Sequence, residues 1–406
     1  MSNDGSSRRG FIKSAFLSGV GVGAWPHLSL AGEGDDKSAA AAAPAAAVPR
    51  KTLGSTGEKV PILLMGCAQK FDSRYDKLLH RAFKEGVDYL DTALVYEDGQ
   101  SHKTIAPFLA QIGDRKKLWI TSKGPGRANG DLVKAYEQEL DTCLEQLGTD
   151  YLDLYFMHAV DDVDRLEPEL IKMGERMRKS GKTRFFGLSC HGENEIAVMN
   201  KAAQVGGIDV IMFRYHFARY GELELNKAID ACKKAGIGLI AMKTQNSVPA
   251  EQEEVVGFQS KDFSLAQAKL KAVWADGRID AAVSHMDNTK KLQENISAAK
   301  SPVQLSMNDF QQLQRLATLT ADYACQGCAQ ICESRIVGET KIADTLRFLM
   351  YYESYGEPDK ARKLYHRLSP VQRAVEGVDF AAAARVCPKG IDIASRMKRA
   401  HELLSV

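Results

Sequence analysis

The stretch "LDLYFMH", residues 152–158, is a nearly unbroken apolar run that stops on a histidine. A strand with one wet face alternates apolar and polar residues. A continuous run is the pattern of a strand covered on both faces, as helices cover a parallel sheet. Just upstream, "DLVKAYEQELDTCLEQLG" (131–148) places Leu132, Tyr136, Leu140, Cys143, Leu144 and Leu147 on one helical face. The same pairing of short apolar run and amphipathic stretch recurs along the chain. The runs are "ILLMGC" (62–67), "YLDTA" (89–93), "LWITSK" (118–123), "FFGLSCH" (185–191), "VIMFRYH" (210–216), "GLIAMKT" (238–244) and "AAVSHM" (281–286). Together with 152–158 they make eight repeats over about 250 residues, which predicts an α/β fold of the (β/α)8 TIM-barrel type. The rival, a doubly wound open sheet, lacks its G-x-G-x-x-G after the first run. Ahead of that run, "KTLGSTGEKV" (51–60) reads as a hairpin turning through Gly54 and Gly57, placed to plug the barrel bottom.

The chain has 406 residues and a formal net charge of +2. No basic stripe interleaved with aromatics appears, which argues against nucleic acid as a partner. No apolar run reaches the roughly 18–20 residues of a membrane span. The domain reading is a signal segment over 1–31, an Ala-rich linker over 32–50, the barrel over 51–305 and a helical C-terminal extension bearing cysteines over 306–406. The signal reading rests on Ser7-Arg8-Arg9-Gly10-Phe11-Ile12-Lys13, on the mildly apolar stretch after it, and on the small residues Ser29 and Ala31 flanking Leu30. It resembles the twin-arginine export signal. That resemblance implies passage through the twin-arginine machinery in a folded state, and a periplasmic or otherwise extracytoplasmic location.

In such barrels, reactive groups collect where strands run out at their C-terminal ends. The second run ends in Asp91, with Tyr96 just beyond. The third ends in Lys123, the fourth in His158, and the fifth in Ser189-Cys190-His191. A free phenol has a pKa near 10, and a neighbouring lysine cation pulls it down. A carboxylate holds that lysine in place, and a histidine orients a carbonyl oxygen or relays a proton. The set suits reduction of a carbonyl, with hydride to carbon and a proton to oxygen.

"TLGSTGEKV" (52–60), "AFKEGVDYLDTALVYEDGQS" (82–101), "LWITSKG" (118–124) and "LGTDYLDLYFMH" (147–158) occur in an order that resembles the aldo-keto reductases. The resemblance implies that Asp91, Tyr96, Lys123 and His158 are a catalytic tetrad with Tyr96 as general acid. It implies a small carbonyl or sugar-like substrate and NADP or NAD as cofactor. The cofactor positions would be Ser189 and Cys190 after the fifth strand, and Met212 where the family has glutamine. Met242 stands where an aromatic residue stacks. Lys291 and Asn295 would follow the eighth strand, in "SHMDNTKKLQEN" (284–295).

Eight cysteines are present. Cys67, Cys143, Cys190 and Cys232 read as small buried apolar side chains. Cys325, Cys328 and Cys332 stand at C-x2-C-x3-C, and Cys387 precedes Pro388. Four thiolates at this spacing read as a [4Fe–4S] cluster, a structural zinc site or two disulfides. The Cys-Pro ending resembles ferredoxin-like ligation, and some aldo-keto-reductase-like proteins carry such a C-terminal segment. A cluster built before folded export reconciles these cysteines with the signal, and a redox partner protein would supply it. The rival from another class is a non-catalytic exported ligand-binding or electron-transfer protein on a reductase-derived barrel.

Overall fold

The computed structural model describes residues 47–126, 130–245, 248–323 and 325–406. The export-signal reading, and the linker up to residue 46, lie outside the described residues.

A short antiparallel hairpin, β1 (Arg50–Thr52) and β2 (Lys59–Pro61), comes first. Eight parallel strands follow: β3 (Leu63–Gly66), β4 (Tyr89–Asp91), β5 (Trp119–Gly124), β6 (Leu152–Met157), β7 (Thr183–Cys190), β8 (Val210–Arg214), β9 (Gly238–Met242) and β10 (Ala281–His285). They pair in sequence order, and β10 closes on β3. The barrel helices are α1 (Lys77–Lys84), α2 (Gln100–Ile112), α3 (Leu132–Leu147), α4 (Pro168–Lys179), α5 (Glu195–Val205), α6 (Leu223–Lys234), α7 (Ala250–Glu254), α8 (Leu265–Ala275) and α9 (Thr289–Lys300). Each apolar run of the sequence becomes one strand. Strand side chains facing outward, such as Leu63, Ile120, Tyr155 and Phe213, pack with the helices in one large core. The alternate residues, such as Leu64, Trp119, Phe156 and Ile240, fill the barrel interior. Burial on both faces is why these strands are continuously apolar.

The hairpin closes the bottom. Leu53 and Val60 join the interior cluster. Gly54, at φ +51°, passes so close to Gly238 that an added Cβ would lie 2.2 Å from its backbone nitrogen. Only glycine fits there. Cys67, Cys143, Cys190 and Cys232 are all buried in the outer core, as small apolar side chains.

The C-terminal extension is helical: α10 (Met307–Leu319), α11 (Ala329–Glu333), α12 (Ile342–Glu353), α13 (Pro358–His366), α14 (Phe380–Arg385) and α15 (Ile393–Leu404). Its first helix packs back on the barrel, where Phe310, Leu313 and Leu316 meet Phe217, Phe263 and Ala272. From α11 onward a separate core forms around Ile342, Leu349, Tyr365, Ile393 and Met397. No helix among the described residues is long and apolar enough to cross a membrane.

Candidate active site

The C-terminal ends of β4, β5 and β6 bring four polar side chains together. Asp91 ends β4 and is 3 % exposed, and Lys123 on β5 is 1 % exposed. Lys123 Nζ stands 2.8 Å from both oxygens of Asp91. It also donates to the Thr92 carbonyl at 2.7 Å and to the Tyr96 hydroxyl at 3.3 Å. Tyr96 opens a short 3-10 turn, Tyr96–Gly99, in which Glu97 and Asp98 take left-handed backbone. His158 follows β6, and its ring meets the Tyr96 ring edge-on, with centroids 5.7 Å apart.

Electrostatics at this point depart from the simple expectation. Lys123 does pull the Tyr96 phenol down, but burial works harder and leaves it above its usual value. A phenol kept protonated is a proton donor, not a phenolate. Burial opposes the charge on Lys123, yet Asp91 and Tyr96 outweigh it and hold the ammonium charged.

The extension roofs this mouth. Lys363 and Arg367 of α13 both bind Asp98, at 2.7 and 2.9 Å. Lys360 reaches Glu97 at 3.6 Å. On the β10 side His285 meets Glu357 at 3.6 Å. On the β8 side Arg214 Nη1 donates to the Gln326 carbonyl, inside the cysteine loop, at 2.7 Å. The segment carrying Tyr96 is therefore clamped by the roof. Beneath the roof lies a chamber of about 340 Å³. Its barrel wall includes Ala159, His191, Arg214, His216 and Lys243, and its roof wall includes Cys325, Arg347 and Met350. Sequence reasoning missed Arg214, His216 and Lys243. The signal was present, because all three are polar residues at the ends of the sixth and seventh barrel strands.

Beside the chamber, Cys325, Cys328, Cys332 and Cys387 line one small cavity with Ile331, Ile342, Leu346, Ile391 and Ile393. Cys325 belongs to the walls of both spaces. All eight cysteines are free thiols, so the disulfide reading finds no bonded pair. Burial pushes Cys325 up to about 11 and Cys332 up to about 12. Among the described residues, no three His, Cys, Asp or Glu side chains converge closely enough to hold a metal ion. A single zinc needs thiolate sulfurs about 3.8 Å apart, given bonds of about 2.3 Å. That set is not formed here. The residue types are also those of a [4Fe–4S] site, and the four thiols share one cavity.

Of the positions expected to hold NADP or NAD, Ser189 and Met212 are partners across β7 and β8, and none of the six lines the chamber. The Ser189 hydroxyl accepts the Ala159 N–H at 2.9 Å. Cys190 turns into the outer core, away from the mouth. Met212 and Met242 belong to the barrel-interior cluster. Lys291 pairs with Asp287 at 2.7 Å on the surface, and Asn295 donates to Ser284 at 2.8 Å.

A closed parallel barrel with its reactive groups at the C-terminal strand ends defines a TIM-barrel enzyme architecture. Residues 68–247 match the Aldo/keto reductase family. The chain is 22 % identical over 289 residues to the L-galactose dehydrogenase of Arabidopsis thaliana, covering 64 % of this chain and 90 % of that protein. It is 31 % identical over 213 residues to an aldo-keto reductase of Strobilurus tenacellus, covering 51 % of this chain and 61 % of that one. In fold it is similar to an aldo-keto reductase of Bacillus halodurans, solved in its holo form. That likeness has a TM-score of 0.57 at 19 % identity, over 66 % of this chain and 96 % of the other. These likenesses support an aldo-keto-reductase-like oxidoreductase.

Proposed function

We propose that this protein is an exported oxidoreductase that interconverts a carbonyl and an alcohol at the barrel mouth, and that its extension holds a [4Fe–4S] cluster. The observation that carries the reading is the buried Lys123–Asp91 pair, with its third contact on the Tyr96 hydroxyl. Reduction of a carbonyl adds a hydride to carbon and a proton to oxygen. Tyr96 donates the proton that goes to oxygen. Lys123 then sits beside the phenolate and stabilises it, and Asp91 keeps Lys123 charged and aimed. His158 orients the carbonyl oxygen against the phenol.

The thiols of Cys325, Cys328, Cys332 and Cys387 would hold the cluster, which supplies electrons singly. Its place beside the chamber supports that role. NADP or NAD, which the family likeness suggests, would supply the hydride, because a cluster passing single electrons does not replace a two-electron donor. A redox partner protein outside the cytoplasm, reached after folded export by the twin-arginine route, would exchange electrons with the cluster. The export reading is supported by the sequence of residues 7–31.

The test is a carbonyl-reduction assay on chain purified and assayed without air. About four iron and four sulfide per chain are expected, with turnover driven by NADPH or NADH. Absence of iron and sulfide from protein purified without air would overturn the cluster assignment. The roofed mouth also favours a second reading, a non-catalytic ligand-binding protein. Absence of turnover with every electron donor would select it.

A further inference from the structure

The chamber under the roof is built at a cost that the fold alone does not repay. His216 is 3 % exposed, lines the chamber, and leaves Nδ1 without a hydrogen-bond partner. Arg214 lines it too; it stands 3.5 Å from Glu195 and donates to the Gln326 carbonyl, but its buried Nε is unpartnered. An unsatisfied buried polar atom costs about 1–3 kcal/mol. Lys243 makes no hydrogen bond or ion pair of its own among the described residues. It holds its place at φ +56°, a left-handed backbone that L side chains rarely adopt. Such strain gathers at functional sites. Acids of the roof wall are already engaged: Asp344 with Arg347 at 2.7 Å, and Glu333 with Lys341 at 3.6 Å. Lys243 has no ion-pair partner among the described residues, and only Glu195 and the Cys325 thiol offset its charge, through space. A volume of about 340 Å³ is at the low end of the roughly 300–1,000 Å³ of small-molecule sites.

We propose that this chamber grips the anionic group, a carboxylate or a phosphate, of the small carbonyl substrate, using Lys243, Arg214 and His216. One bound anion gives a partner to all three. The chamber wall begins at Ala159, next to His158, whose ring lies against Tyr96. An anion held between Arg214 and Lys243 directs the rest of the molecule towards the tetrad. Burial, with Arg214 and Arg347 nearby, pulls Lys243 down to about 8, the condition of a cation awaiting a counter-charge. The inference rests on the carbonyl reading of the same site and adds the charge of the substrate.

Binding separates the two ideas, because the grip is read at equilibrium and the chemistry by turnover. The whole chain is titrated calorimetrically with pyruvate, with its uncharged methyl ester, and with inorganic phosphate. Wild type is expected to bind at least one anion about tenfold or more tighter than the ester. Lys243→Met should erase that preference while melting no lower than wild type, since it removes an unpaired, part-buried charge. His216→Phe, which fills the same space, should weaken anion binding several-fold and serves as the second variant. Tyr96→Phe should keep the preference. Phosphate binding above pyruvate makes the group a phosphate, and the reverse makes it a carboxylate. Equal affinity for pyruvate and its ester with no phosphate binding would overturn the proposal, as would a preference that survives Lys243→Met. A charge preference in a protein that turns over no carbonyl would uphold the grip and sink the catalytic reading.

Discussion

Lys123 and Asp91 form an ion pair with almost no water around it. Removing one partner leaves a buried charge alone, which costs about 3–5 kcal/mol. Asp91→Asn is expected to lose that much in urea unfolding, and the double variant with Lys123→Met to recover part of it. Equal stabilities for the single variant and wild type would refute the pair's importance. His102 gives a pH prediction. It is buried, with Nδ1–H donating to Gln146 and Nε2 accepting from Ser122. Burial lowers its pKa from 6.5 to about 4. Between those values the unfolded chain binds a proton that the folded chain refuses. Stability is therefore lost as pH falls from 6.5 to 4, by about 3 kcal/mol from this residue. His102→Gln should flatten that part of the slope, measured as the difference in urea midpoints between pH 7 and pH 4.5. The tetrad was legible in the sequence because each member sits at or just beyond a strand end. The protonation of Tyr96 was not, because burial by the roof outweighs Lys123 and burial by a distant segment leaves no local trace.

At the scale of elements, the roof is held to the Tyr96 turn by ion pairs. Asp98, drawn down to about 2 by Lys363 and Arg367, is their hub. These groups are half exposed, so each bridge contributes little to stability, and less in salt. Asp98→Asn should leave the global melt nearly unchanged, while hydrogen exchange in α12 and α13 speeds several-fold. Unchanged exchange would show that the roof is held by other contacts. The strands were readable because burial on both faces forces continuous apolar runs, and α3 because its apolar residues recur at helical spacing. The roof's placement was not readable. Its ties join residues as far apart as Asp98 and Lys363, 265 positions away, through exposed charges that look like ordinary surface.

Across the whole molecule, two cores meet at one mouth, and the cysteine cavity shares Cys325 with the chamber above the barrel strands. The spacing of the four cysteines announced a thiolate site. Only the fold places those cysteines beside the chamber at the barrel mouth. Cys387→Ser should lower iron content by at least half in anaerobically purified protein while the barrel keeps its melting temperature. Full iron occupancy in that variant would remove Cys387 from the site. The most direct test of the account is turnover of small carbonyls by the whole chain with NADPH or NADH, wild type against Tyr96→Phe. The account predicts a loss of about 10²- to 10⁴-fold in the variant, with melting temperature and iron content unchanged. Equal rates in the two proteins would contradict it.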